Sequence, residues 1–423
     1  MHPLTRPVPL RNSTVWPNYS SAETLIHVYG RCTVAPVRYD REGFFWHVCD
    51  HICGGIIGVK RKGQTETAWK EHRDIDATGH PCTFLELAER ADDGDLSVTV
   101  NGKLSGKTGA AIVNPADIGG DIMTMVRGEY DSTGVDVFRR ECQARGIVCA
   151  GILGDKTKTA RAMLSEIAGS IGAVWSGGMP GLMRLHPMDM ADTEPVWCDM
   201  DEDSVEEISS ACESSDIITT LRVSYDVDHS DDTPKASMVL RAIEPRKTWG
   251  DIIEEVTLPW VSAPRVAYDV ASRILDWRSR KRWTVSFSSE RTAPVGGYVY
   301  LDHPACPVSG NAMILSVDFS PFERVRNYTA SIPVGDSPSM ELFSSSAAFE
   351  APAIPPSELT AGAETTTILI RDASGKPVAM EAITIDGTVK KQTDSSGKVT
   401  IKTLPGKHVI MVDSTGQTME IMV

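Results

Sequence analysis

Near the start of the chain, six residues are of the types that hold metal ions. His47, Cys49, His51 and Cys53 recur at every second position, and His80 and Cys82 follow downstream. Side chains alternate along an extended strand, so the first four would share one face. Imidazole and thiolate are the donors that zinc and iron–sulfur clusters require. Spacing argues the other way. There is no CxxC pair, and Cys49-x3-Cys53 with a lone Cys82 matches no standard knuckle. Buried thiols that behave as small hydrophobes account for the pattern better. The expectation is that there is no metal site and no cofactor.

Two further groups invite a chemical reading. His303 and Cys306 are types that serve as base and nucleophile, but they lie three apart with Pro304 between them. Catalytic Cys and His usually meet in space rather than in sequence. His186 and His229 stand without partners in the sequence and read as surface or cap residues. No catalytic residue is expected, and the chain is read as a non-enzyme. Arg278, Arg280, Lys281 and Arg282 form a basic run. It suits a helix end, where cations interact favourably with the dipole and remain solvated, better than a nucleic-acid surface.

The clearest elements lie between Val113 and Pro187. Asn114-Pro115 is a helix entry, because Asn caps and Pro at the first helical position loses no hydrogen bond. Ile118, Ile122 and Met125 then share a face. Val135, Phe138 and Cys142 predict a second helix, stopped by Gly146. A third follows Asp155 and Thr157 as candidate caps, with Ala160, Leu164, Ile167 and Ile171 in a narrow apolar stripe ended by Gly172. Ala173-Val174-Trp175 and Leu182 to Leu185 flank a Gly/Pro turn and predict a hairpin.

At 423 residues the chain exceeds one ordinary core, so two to four domains are expected. With 41% apolar and 23% charged residues it is globular rather than disordered. No apolar run approaches the roughly 20 residues that span a bilayer, and the first residues, with Arg6, Pro7 and Pro9, do not read as a signal peptide. Nine scattered cysteines suit free thiols in a reducing cytoplasm. A net charge of −15 argues against stable nucleic-acid binding, which is driven by Lys and Arg neutralising phosphates. An acidic wall would still let DNA pass without sticking.

These signals divide the chain into six parts. Residues 1 to 22 form an arm ordered only by docking on a neighbour. A first β region spans 23 to 110, with apolar runs at Leu25 to Val28, Phe44 to Val48, Ile56 to Val59, Thr83 to Leu85 and Leu96 to Val100. The helix-rich insertion occupies 111 to 190. A second β region, 191 to 335, begins in an acidic, solvated connector (Asp199 to Glu207) and holds a helix at 264 to 282 with Val266, Val270, Ile274 and Trp277 on one face. Residues 336 to 363, with Pro352, Pro355 and Pro356, read as a linker. An all-β module fills 364 to 423. The fold class expected is mainly β with an α+β insertion.

The runs "NPADIGGDIMTMVRG", "FRRECQARGI" and "AMLSEIAGSIGAVWSGGMPGLMRLHP", with "RVAYDVASRILDWRSRKR" and "RWTVSFS" later, resemble baseplate hub or tail-tip proteins of long-tailed, siphovirus-type phages. That resemblance implies two tube-like β-barrel hub domains flanking a helical and hairpin domain. It further implies a virion protein assembled in the host cytoplasm into a closed homotrimer of pseudo-sixfold symmetry. Its implied partners are the distal tail protein, the tape measure protein and tip or fibre proteins, with DNA passing transiently through the lumen. Some hubs of this kind carry an iron–sulfur cluster. The pattern Asp372, Gly375, Pro377, Thr393-Asp394, Gly397 and Leu404-Pro405-Gly406 is similar to carboxypeptidase-regulatory-like and Ig-like modules, implying a C-terminal Ig-like β-sandwich. A receptor-binding tail adhesin is the main rival reading, and a tail-associated cell-wall hydrolase a more distant one.

Overall fold

The computed structural model describes residues 3–12, 23–40, 42–76, 78–128, 132–178, 182–187, 196–213, 216–319, 325–335 and 337–346, and then strands with some adjoining residues between 364 and 422. The fold is mainly β, with five helices among the described residues.

Period-two alternation builds the first β region. Its strands are β1 (His27–Tyr29), β2 (Arg31–Val34), β3 (Val37–Arg38), β4 (Phe45–Cys49), β5 (Cys53–Arg61), β6 (Gln64–Glu66), β7 (Trp69–Ile75), β8 (Pro81–Leu87) and β9 (Leu96–Lys103). Two four-stranded sheets result, in the orders β2-β9-β5-β6 and β3-β4-β8-β7. Leu96, Val98 and Val100 point inward along β9 and share a core with Val34, Val59 and Leu85. The β5–β6 hairpin turns on Lys62 and Gly63, both at positive φ, whose twist matches that of the flanking strands. β7 is largely solvent-facing and polar, so no apolar run marks it.

The insertion contains α1 (Pro115–Met125), α2 (Ser132–Ala144), β10 (Gly151–Leu153), α3 (Ala160–Ser170) and a hairpin of β11 (Ala173–Gly178) with β12 (Leu182–Pro187). β10 pairs back onto β1. Asn114 caps α1 as its position suggests, its side-chain oxygen accepting from Ala116 N–H at 2.9 Å. The cap of α3 is Thr159, whose hydroxyl accepts from Ala162 N–H at 3.2 Å. Asp155 and Thr157 instead close a local turn: the Asp155 carboxylate accepts from the Thr157 N–H at 2.8 Å. The stripe of Ala160, Leu164, Ile167 and Ile171 is buried.

The second β region holds β13 (Val196–Asp201), β14 (Ile208–Glu213), β15 (Thr220–Asp228), β16 (Thr233–Ala242), α4 (Ile243–Trp249), β17 (Ile253–Leu258), α5 (Pro264–Ser279), β18 (Arg282–Ser289), β19 (Tyr298–Asp302), β20 (Gly310–Phe319), β21 (Arg326–Pro333) and β22 (Met340–Ser345). It forms a four-stranded sheet, β17-β15-β16-β22, and a six-stranded one, β13-β19-β20-β21-β18-β14. Two neighbouring pairs, β15 with β17 and β13 with β19, are parallel. The six-stranded sheet has its own core around Val285, Leu301, Ile314 and Tyr328. The four-stranded sheet does not: Leu221, Val223 and Leu240 share one continuous core with Ile118 of α1, Ile167 of α3 and Val270 of α5. At the end of α5, Trp277 packs instead on Tyr298 and Met313 of the six-stranded sheet.

Three further expectations are corrected. Of the expected arm, residues 3–12 dock on their own chain, while residues 13–22 lie outside the described residues. Val8 is 1% exposed, Pro7 bridges to Thr159, and Arg6 O accepts from Ala160 N–H at 2.9 Å, so the segment supplies both an apolar side chain and backbone partners. The acidic connector is not wholly solvated, because Met200 and Val205, which lie between its carboxylates, are buried. Residues 340–345, read as linker, are the edge strand β22, held by antiparallel pairing to β16 and by Met340 and Leu342 against the shared core. The prolines of the expected linker lie outside the described residues.

The C-terminal strands are β23 (Glu364–Leu369), β24 (Ala382–Ile385), β25 (Val389–Gln392), β26 (Lys398–Thr403), β27 (Lys407–Val412) and β28 (Thr418–Met422). β23 pairs with β26, and β25-β24-β27-β28 form a second sheet. Ile383, Val399, Ile410 and Val412 are buried.

Candidate functional site

The corner between β4 and β5, the start of β8 and the N-terminal segment bring together a buried polar cluster. A register shift between His47 and Cys49 breaks the strand alternation, so the four residues spaced by two do not form one ligand face. Of the six residues singled out by type, only His47 and Cys82 converge in a compact donor group. Their third partner is Asp50, and the three donor atoms lie within 4.8 Å of one another. Spacing alone gave no reason to single out Asp50. Its signal was an acidic residue at the end of an apolar strand.

The remaining members are otherwise engaged. His51 uses both ring nitrogens: Nε2 accepts from Val28 N–H at 3.0 Å and Nδ1 donates to Ile52 O at 3.1 Å. Burial lowers its pKa to about 4, so it stays neutral. Cys49 Sγ donates to His51 O at 3.5 Å, and Cys53 Sγ accepts from Gly55 N–H at 3.3 Å. Burial pushes the Cys49 thiol up, whereas the influence of Cys49 on its neighbour outweighs desolvation and draws Cys53 down to about 7. Each of the nine cysteines is a free thiol.

Asp50 is 1% exposed at its side chain. Its Oδ1 accepts from Arg11 Nη1 at 2.8 Å and from Cys82 Sγ at 3.5 Å, with His80 Nε2 at 3.8 Å. Burial raises its pKa in spite of the guanidinium. Arg11 also pairs with Asp76. Burial opposes ionisation there, but hydrogen bonds from Thr78, the His80 N–H and Arg11 together hold the Asp76 carboxyl below its ordinary range. Burial and the two carboxylates push the Cys82 thiol up to about 12. His47 is pushed down to about 4, chiefly by burial. Two carboxylates thus share one arginine.

A second feature is the junction of the two β regions. Val34 at the end of edge strand β2 bridges in parallel to His229 in the β15–β16 turn. His229 N–H donates to Thr33 O at 3.0 Å, and Lys235 Nζ to Thr33 Oγ1 at 3.1 Å. The outer edges carry exposed apolar side chains, Ile253 at 48% on β17 and Phe343 at 54% on β22.

The basic run closing α5 makes contacts within the chain. Arg278 pairs with Glu254, Arg280 pairs with Asp276 at 2.7 Å, Lys281 lies over Trp249, and Arg282 lies over Trp277. His303 and Cys306 share a tight turn in which His303 Nδ1 accepts from Ala305 N–H at 3.1 Å and Cys306 packs toward the six-stranded core. His186 sits in β12, paired with Val174. No helix among the described residues is long and apolar enough to cross a membrane.

No family model matches the chain, and no curated protein matches it. Solved structures do show similarity. A chain in the virion of a native gene transfer agent particle is 16% identical, covering 78% of this chain and 87% of its own length, with a TM-score of 0.49. A tail protein from Neisseria meningitidis is 10% identical over 73% of this chain and 96% of its own, with a TM-score of 0.35. The 43 kDa tail protein of prophage MuSo2 from Shewanella oneidensis is 7% identical over 73% and 97%, with a TM-score of 0.34.

Proposed function

We propose that this chain is a non-enzymatic structural subunit of a phage-type tail, the hub of its baseplate or tail tip. The observation that carries the reading is the junction at Thr33, Val34 and His229, where the two β regions meet near a sheet edge. That leaves β17 and β22 as outer edges bearing Ile253 and Phe343. Unpaired apolar edges invite uncontrolled pairing, and a closed ring of copies covers them. The sequence resemblance supplies the ring: three copies, each giving two barrel-like domains, around a lumen for tape measure and DNA, with a distal tail ring above and tip or fibre proteins below. In this reading the C-terminal strands form an Ig-like accessory module.

Mass photometry of the purified chain, alone and mixed with its tail neighbours, tests the proposal. A threefold closed ring is expected. A chain that stays single in the assembled tail, or one that forms an open array, sinks it.

A further inference from the structure

We propose that His47, Asp50 and Cys82 bind one divalent metal ion of zinc type, with His80 as the fourth, surface-side ligand. The expectation of no metal rested on linear spacing, and Asp50 adds a carboxylate to the imidazoles and thiols, giving one nitrogen, one oxygen and one sulfur. All three atoms lie within 4.8 Å of one another. Ligand atoms around a tetrahedral zinc lie ~3.3–3.8 Å apart, given bond lengths of ~2.0–2.3 Å. Asp50 Oδ1 and Cys82 Sγ already meet this at 3.5 Å.

A second observation points to a ligand. His47 is 3% exposed, yet its Nε2 has no hydrogen-bond partner among the described residues, although buried ring nitrogens are normally satisfied. The imidazole also has a backbone hydrogen bond to Cys49. Its ring is wedged with centroids 4.8 Å from Phe84 and 6.2 Å, edge-on, from Tyr39. A ring fixed by its other nitrogen and by packing, with one nitrogen left over, is what a metal-ligating histidine requires. His80 Nε2 stands 3.8 Å from Asp50 Oδ1 with a side chain 43% exposed, which gives the ion a way in from solvent.

Arg11 occupies the same electrostatic niche. Its Nη1 lies 2.8 Å from Asp50 Oδ1 and 4.0 Å from Cys82 Sγ. A metal ion would take Asp50 and leave Arg11 to Asp76. Arginine and ion therefore compete, and the N-terminal segment that carries Arg11 senses the outcome.

The full-length chain, stripped with chelator, is titrated with Zn²⁺ against a chromophoric competitor and separately with Co²⁺. One equivalent per chain is expected, and the cobalt form should show visible d–d bands and a thiolate charge-transfer band. Cys82→Ser should remove the charge-transfer band, and Asp50→Asn should weaken binding by more than about 100-fold, beyond the usual cost of losing an outer-shell partner. Arg11→Gln should bind the ion more tightly than the parent chain. If Cys82→Ser fails to fold, the parent spectrum and Arg11→Gln decide the matter. Substoichiometric binding by the parent, a cobalt spectrum without sulfur character, loss of the band on Cys53→Ser but not on Cys82→Ser, or weaker binding by Arg11→Gln would each overturn the proposal.

Discussion

Arg273 reaches from α5 to the far end of α3, and replacing it should loosen that end specifically. Its guanidinium donates to Ile171 O at 2.8 Å and to Gly172 O at 3.3 Å, and pairs with Asp269 at 3.2 Å while the residue is 8% exposed. Ile171 is the C-cap of α3 and Gly172 stands at φ +63, so these carbonyls lie at the helix end, where intrahelical partners run out. In Arg273→Met the stem is kept, and two charge-assisted hydrogen bonds are lost at about 1.5–3 kcal/mol each. Asp269 is left without its cation. A total of about 3–5 kcal/mol follows, matching the usual cost of breaking a buried ion pair from one side. If α3 opens locally, the lower figure corresponds to roughly 100-fold faster amide exchange. Hydrogen exchange read by mass spectrometry on peptides spanning 160–178 measures this, with peptides of β20 and β21 as internal reference. Exchange within about threefold of the parent in a folded variant would refute the capping role. So would an equal loss of protection in the six-stranded sheet.

Other outcomes follow from single sites. A Cβ on Gly151 would stand 2.5 Å from the ring of Trp260, which is 1% exposed, so Gly151→Ala should cost at least about 2 kcal/mol by overpacking. Gly58→Ala meets nothing within 4 Å and should leave the melting point within a degree or two; equal effects would discredit the contact. A chain ending at Ser346 should melt like residues 1–346 of the parent, whereas one ending at Val334 loses β22, uncovers β16 and should melt several degrees lower. Identical melting curves would show that β22 is dispensable. Burial holds the His229 ring below its ordinary pKa, outweighing the upward pull of Asp232, Asp228 and Glu166, while Lys235 lowers it further. The unfolded chain therefore takes up that proton first as pH falls below about 6.5, and stability drops by up to about 1.4 kcal/mol per unit. Denaturant titrations at pH 7 and 5.5 should show a flatter dependence in His229→Gln, and an unchanged slope would rule His229 out.

Periodicity made the helical layer legible: Asn114, the stripe through Ile167 and the face through Val270 needed only side-chain spacing. Elements without an apolar run were silent, as with β7, whose face is polar, and α4, which has no fully buried residue. Long-range pairing was silent too, since nothing near Val8 or Met340 announces that each completes a core built elsewhere in the chain. At the polar cluster, residue type pointed to His47 and Cys82. Asp50 needed the fold, because its partners Arg11 and Cys82 come from two other segments.

The shared core has a consequence for the order of events during synthesis. The first β region owns nearly all of its apolar partners by Ile152, so it can close early. The helical layer cannot. Its core also takes residues of β15, β16 and α5 and, last, Leu342 of β22. At ~5–20 residues per second, the apolar faces of α1 and α3 wait on the order of ten seconds before their cover leaves the ribosome. Contacts so distant in sequence form slowly even then. The half-made chain is therefore a folded β region trailing a sticky, uncovered helical layer, and chaperone capture or aggregation should begin there.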